Sequence, residues 1–145
     1  MSKIIGMRAG QLAKAADVNV ETLRYYERRG LLPEPPRQAS GYRIYPESSI
    51  DRLKFIKGAQ ALGFTLEEIL DLLNMRLDTD ANRTDVRKRA REKLNHIQKK
   101  IRALQEMEHA LNQLISQCHG DGSAADCPIL EAIPSFGTKD IDNEV

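Results

Sequence analysis

Residues 83–117 run for about 35 positions without a glycine or a proline, the two residues that most strongly punctuate helices. Apolar side chains recur there at heptad spacing: Ala90, Leu94, Ile97, Ile101, Leu104, Leu111 and Ile115. Glu108 interrupts the seam, while Met107 and Leu114 lie beside it. At 1.5 Å per residue such a helix is roughly 50 Å long. A domain built from a 145-residue chain is not wide enough to bury it. The stripe therefore needs a partner, and the spacing predicts a coiled coil with the same stripe of a second chain. A homodimer is expected.

Charge is distributed in blocks that nearly cancel. The chain carries 22 basic and 21 acidic side chains, a formal charge of +1. Residues 1–60 hold eleven basic and six acidic groups, 61–81 one and five, 82–119 nine and four, and 120–145 one and six. A basic amino-terminal block suits a polyanion. No apolar run approaches the roughly 18–20 residues of a membrane span, and no signal-peptide apolar region follows Met1. Two cysteines are too few for a secreted disulfide scaffold, so a cytoplasmic protein is expected, with no membrane partner.

The first 75 or so residues read as short helices separated by turns. Segment 8–16 buries Leu12 with Ala13 or Ala16, and Asp17-Val18-Asn19 is a turn with Asn19 a candidate N-cap. A second helix over about 20–29 stops at Gly30. Its narrow apolar stripe is Val20, Leu23 and Tyr26 or Glu27, leaving Thr22, Arg24, Tyr25 and Arg28 on the other surface. Four prolines forbid a helix through 31–47, where Ser40-Gly41 marks a turn and Tyr42 to Tyr45 alternate like a short strand. This segment reads as a small hairpin or wing exposing Arg37, Arg43 and the tyrosines. Residues 47–61 form an amphipathic helix, and Thr65-Leu66-Glu67-Glu68 is a capping box opening a helix to about Arg76.

Two short helices joined by a three-residue turn and followed by a basic aromatic hairpin make a winged helix-turn-helix. Its second helix enters the major groove while the wing grips the flanking backbone. Arg24 and Arg28 lie one turn apart and would face the groove together. Tyr25, Arg43 and Tyr45 would hydrogen-bond phosphates, which sets register without reading sequence. The competing reading is an ordinary helical core with solvated arginines.

Cys118 follows the long helix, a polar loop of eight residues separates it from Cys127, and Cys127-Pro128-Ile129-Leu130 opens a last short helix to about Ile133. Thiolates are soft donors, and a pair that folds together suits Cu(I), Ag(I), Au(I), Hg(II) or Zn(II)/Cd(II)/Pb(II) over Mg or Ca. Two unrelated buried thiols and a redox pair are the alternatives. His119 is a neighbouring imidazole most simply solvated; His96 and His109 have no assigned role; Asp121 and Asp126 suit turns.

Three segments, QLAKAADVNVETLRYYERRGLLPEP, GYRIY and RLKFIKGAQALGFTLEEILDLL, resemble the DNA-binding domain of the MerR family of bacterial transcription regulators. The long helix and the C…CPIL loop resemble its metal-sensing branch, so the likeness spans roughly residues 5–133. It implies a mainly α fold: a winged helix-turn-helix DNA-binding domain at 5–76, a dimerisation helix at 83–117 in an antiparallel coiled coil, and a cysteine metal-binding loop and short helix at 118–133. Beyond the likeness, the acidic residues 134–145, without apolar pattern, read as a flexible tail. The likeness also implies a non-enzymatic homodimer, cytoplasmic and nucleoid-associated. Together with RNA polymerase, such a dimer represses and then activates a promoter by distorting its double-stranded DNA. The recognition-helix role falls on Thr22, Arg24 and Tyr25, the wing role on Arg37, Tyr42 and Arg43, and further backbone contacts on Lys54 and Lys57.

Cys118 and Cys127 are the expected metal ligands. In the family, sensors of divalent ions take a third cysteine from the start of the partner's long helix, and the copper, silver and gold sensors have serine there. Counting back by the family interval lands on Arg83, which is neither. Two thiolates and a +1 ion leave one negative charge that a nearby arginine would offset, so Cu(I), Ag(I) or Au(I) is expected ahead of Hg(II) and other divalent ions. The runner-up keeps the DNA-binding dimer but makes the cysteine pair a sensor of oxidant or electrophile. A thiol metallochaperone would not need the basic winged domain.

Overall fold

The computed structural model describes residues 6–35, 39 and 41–137. In chain order it has β1 (Gly6–Arg8), α1 (Ala9–Ala15), α2 (Val20–Arg28), β2 (Ile44–Pro46), α3 (Ser48–Ala61), α4 (Leu66–Leu77), α5 (Arg83–Gln117), a 3-10 turn (Ala124–Asp126) and α6 (Pro128–Phe136). The chain divides into one compact unit through Ala90 and a second from Arg91 onward.

Local chemistry accounts for the helix boundaries of the first unit. The Arg8 backbone N–H donates to the Gln11 side chain at 3.0 Å, supporting the first turn of α1. Between α1 and α2, Asp17 takes φ 56°, a left-handed turn that a short polar residue tolerates better than most. Asn19 then caps α2, accepting the Thr22 N–H at 2.7 Å. Gly30, at φ 76°, ends α2 and turns Leu31 and Leu32 into the core. Both halves of the capping box at α4 are present: the Thr65 N–H donates to Glu68 Oε1 at 2.9 Å and the Glu68 N–H to Thr65 Oγ1 at 3.2 Å.

The core of this unit joins Leu12, Ala13 and Ala16 of the first helical segment to Leu23 and Tyr26 of α2. Leu31, Leu32 and Tyr45 add to it, as do Leu53, Ile56 and Ala59 of α3 and Ile69 and Leu73 of α4. Burying each large side chain contributes about 1.5–3 kcal/mol.

The wing is built differently from the expected hairpin. Strand β2 pairs antiparallel with β1, in the register Gly6↔Pro46, Met7↔Tyr45 and Arg8↔Ile44, so the partner strand comes from the amino-terminal end of the chain. Gly6 permits the close approach: a Cβ there would collide with the Ile44 side chain. Tyr45 is consequently turned into the core and fully buried, which corrects the expectation of an exposed wing tyrosine.

Helix α5 spans the predicted residues, 35 in all. Of the heptad seam, Leu94, Ile101, Leu104, Leu111 and Ile115 are each about half exposed, whereas Leu114 beside it is buried. Helix α6 continues to Phe136, three residues past its expected end and through Pro134, so the segment 134–145 is not a frayed tail from its first residue. The Ser135 hydroxyl donates to the Ala132 carbonyl at 2.6 Å and Phe136 is half-buried, holding that last turn. Residues 138–145 lie outside the described residues. No helix among the described residues is long and apolar enough to cross a membrane.

Candidate nucleic-acid interface and thiol site

Helix α2 buries Leu23 and Tyr26 and turns Arg24, Tyr25 and Arg28 to solvent, as its stripe dictates. Thr22 is half-buried, and its hydroxyl is committed to Asn19 Oδ1 at 2.8 Å. Arg24 shares an open concavity of about 600 Å³ with Arg8, Tyr42 and Arg43. Arg28 lines a different depression, with Arg29, Leu66, Glu67 and Leu70. The two arginines expected to act together therefore border separate hollows.

The wing residues divide sharply. Tyr42 is exposed, and the Arg8 guanidinium lies over its ring, 4.3 Å from the centroid. Arg43, expected to be exposed, is half-buried and paired with Glu27 at 2.9 Å and Glu34 at 3.2 Å. Tyr45 donates its hydroxyl to the other oxygen of the same Glu27 carboxylate. Burial and then the Glu27 contact push the Tyr45 phenol up to about 12. Buried and donated to Glu27, this hydroxyl is an internal strut, unlike the exposed group expected. Arg37 lies outside the described residues.

On α3, Lys54 is exposed, whereas Lys57 reaches back to the end of α1 and donates to the Ala16 carbonyl at 3.1 Å and the Asp17 carbonyl at 2.9 Å. Those carbonyls are orphaned where the helix ends, so Lys57 acts as a C-terminal cap, a structural task the sequence reading did not assign it. Two contributors carry no functional role in the sequence pattern: Glu27 stands there only as an alternative to Tyr26 on the buried stripe, and Arg8 only at a helix start.

In the second unit, Cys118 follows the last turn of α5 and Cys127 is the N-cap of α6. Pro128 sits at the first helical position, where its missing N–H costs nothing. The sulfurs of Cys118 and Cys127 are 4.0 Å apart, both half-buried. The intervening loop turns back through Gly120 at φ 81° and Gly122 at φ 106°. Backbone N–H groups of Leu130 and then Ile129, at the start of α6, hold the Cys127 thiol below its usual range, and Cys118 adds to the effect. A metal–sulfur bond of about 2.3 Å on each side can bridge sulfurs up to about 4.6 Å apart, so one ion fits this pair as it stands. No group of three or more His, Cys, Asp or Glu side chains suited to a metal occurs among the described residues, and His119 is exposed.

A capped helix-turn-helix with a basic outer face, a strand-paired wing, and two further helices closing the core together define a winged helix-turn-helix DNA-binding domain, here leading into a long helix. Residues 7–76 match the MerR HTH family regulatory proteins, and residues 50–114 match the family described as MerR, DNA binding. The chain belongs to the MerR family of helix-turn-helix regulators. It is 44% identical, over 87% of its length and 96% of the relative's, to a mercuric resistance operon regulatory protein of Bacillus cereus. A regulator of the same description from Serratia marcescens is 41% identical over 86% of this chain and 85% of its own. Among solved structures, the transcription regulator PbrR691 from Ralstonia metallidurans CH34 in complex with lead(II) superposes with a TM-score of 0.80 at 35% identity, covering 88% of this chain and 98% of that one.

Proposed function

We propose that this chain is a cytoplasmic, homodimeric regulator that binds promoter DNA through the α2 face and responds to a soft metal ion held by Cys118 and Cys127. The observation that carries the reading is the 4.0 Å thiol pair at the first turn of α6, directly after the long helix of a MerR-family chain. A bound soft ion would supply two metal–thiolate bonds, joining the end of α5 to the start of α6 across the loop. Cys127 is prepared for that role because the α6 backbone amides favour its thiolate, and soft ligands discriminate against Mg and Ca. Dimerisation follows from the half-exposed seam of Leu94, Ile101, Leu104, Leu111 and Ile115, which a second copy would cover. The dimer would present two α2 helices to two half-sites and act alongside RNA polymerase by deforming the intervening DNA.

For the ion, relatives named for mercuric resistance and a structural neighbour solved with lead(II) support a divalent thiophilic ion, Hg(II) first, over the Cu(I), Ag(I) or Au(I) expected from charge counting. Two thiolates and Hg(II) sum to zero charge, so this reading needs no counter-charge from Arg83.

The test is transcription in vitro from the protein's own upstream region with RNA polymerase, across Hg(II), Pb(II), Zn(II), Cu(I), Ag(I) and peroxide. Activation by Hg(II), abolished in Cys118→Ser and Cys127→Ser, is expected. Activation by Cu(I) and Ag(I) alone would restore the monovalent assignment, and a response to peroxide alone would make the pair a redox sensor.

A further inference from the structure

The concavity beside α2 contains an arginine that the helix-turn-helix reading leaves unused. Arg8 lies at the junction of β1 and α1, exposed, with its guanidinium 4.3 Å from the Tyr42 ring centroid. Arg24 lines the same hollow. Among the described residues, neither Arg8 nor Arg24 forms an ion pair with a carboxylate, whereas Arg43, on the same rim, is neutralised by Glu27 and Glu34. The net positive charge of the hollow therefore resides on Arg8 and Arg24.

Its floor is also open. Gly10 lies in the first turn of α1, and a Cβ there would meet nothing within 4 Å. Gly41, whose φ of 85° itself favours glycine, also lines the hollow with nothing within 4 Å of such a Cβ. Two glycines and two guanidiniums without a carboxylate partner line a space that no side chain of the described residues fills. An arginine held over an aromatic ring can still offer N–H groups to the oxygens of a phosphate, and the contact removes part of the ordering cost beforehand.

We propose that Arg8 binds a backbone phosphate of the DNA duplex in this hollow, opposite Arg24, and that Tyr42 is the platform that aims it. Tyr42 is thereby a positioning residue, and its ring, not its hydroxyl, is what the interface uses. The proposal rests on the DNA-binding reading of α2 and adds an anchor contributed from outside the helix-turn-helix.

The experiment is fluorescence-anisotropy titration of a duplex from the protein's own upstream region at several salt concentrations, with the full-length chain. Arg8→Ala should weaken binding about tenfold and flatten the dependence of log affinity on log salt by about 0.9 for each protomer bound. Arg8→Lys should keep the salt slope but recover only part of the affinity, because a lysine lacks the planar fork. Tyr42→Ala should weaken binding, Tyr42→Phe should rescue most of that loss, and Arg8→Ala with Tyr42→Ala should lose no more than Arg8→Ala alone. Unchanged affinity and slope in Arg8→Ala, while the wild type binds, would overturn the phosphate contact. A Tyr42→Phe variant as weak as Tyr42→Ala, or fully additive losses in the double variant, would overturn the platform role. A wild type without salt-dependent duplex binding would instead sink the DNA-binding reading itself. Thermal unfolding of each variant separates these losses from misfolding.

Discussion

Glu27 is the residue whose removal should disturb the DNA-binding unit most for its size. Its side chain is nearly buried and holds two wing residues at once, Arg43 at 2.9 Å and the hydroxyl of fully buried Tyr45. In Glu27→Ala the Tyr45 hydroxyl loses its acceptor inside the core, which costs about 1–3 kcal/mol. Arg43 keeps Glu34 at 3.2 Å and is partly solvated, so its loss falls well below the 3–5 kcal/mol of a fully buried broken pair and adds about 1 kcal/mol. The expected destabilisation is about 2–4 kcal/mol, read as a lowered urea midpoint by far-ultraviolet circular dichroism at fixed protein concentration. Tyr45→Phe leaves the carboxylate paired with Arg43 and should cost about 1 kcal/mol. Glu34→Ala, which deletes the exposed arm of the network, should cost less than about 1 kcal/mol. In the Tyr45→Phe background, Glu27→Ala should cost about 1 kcal/mol less than alone, because the orphaned hydroxyl is gone. Duplex affinity should fall with Glu27→Ala, since the wing is then no longer tied to α2. A loss within about 0.5 kcal/mol of wild type, or a Glu34→Ala loss as large as that of Glu27→Ala, would refute the reasoning.

Three further outcomes are expected. Because the Tyr45 phenol is raised to about 12 in the folded chain from its ordinary 10, the neutral form stabilises the fold. That contribution, at most about 2.7 kcal/mol, is complete below pH 10 and is lost as pH rises from 10 to 12; urea midpoints across this range should fall less steeply in Tyr45→Phe. Leu104→Glu with Leu111→Glu should remove two half-exposed leucines from the seam, worth about 1–2 kcal/mol each, and place charges there, weakening dimerisation at least a hundredfold in sedimentation equilibrium. Cys127 should be alkylated by iodoacetamide with an apparent pKa below the ordinary thiol value; Hg(II) added beforehand should protect both cysteines, as read by peptide mass spectrometry.

Elements governed by neighbours within a turn or two were legible from residues alone. The caps at Asn19 and Thr65, the stop at Gly30 and the limits of α5 all rest on contacts spanning three to five residues, or on the absence of breakers. The thiol pair belongs to the same class: Cys127 comes nine positions after Cys118, and two glycines at positive φ turn the chain back between them. The solvent-facing arginines of α2 follow from its 3.6-residue period, which also places Glu27 beside Tyr26 on the inner stripe.

The features that residues alone do not reveal depend on segments far apart in the chain. The alternation in Tyr42 to Tyr45 announces a strand but not its partner, and β1 sits 38 residues earlier, Met7 opposite Tyr45. Which face of a strand is buried is settled by that register, and a one-residue slip inverts it. Tyr45 therefore changed from surface to core, and its hydroxyl required a buried acceptor, which α2 supplies as Glu27. Once Glu27 is fixed inside, Arg43 is drawn to it and neutralised, leaving the charge of the hollow on Arg8 and Arg24. Lys57 follows the same logic: 41 residues from Ala16, it meets carbonyls that α1 cannot satisfy itself. Formal charge in this basic block thus overstates the charge offered to a polyanion, because wing and helix consume part of it internally. The arginines left unpaired, and not the most basic stretch of sequence, mark the surface where DNA should bind.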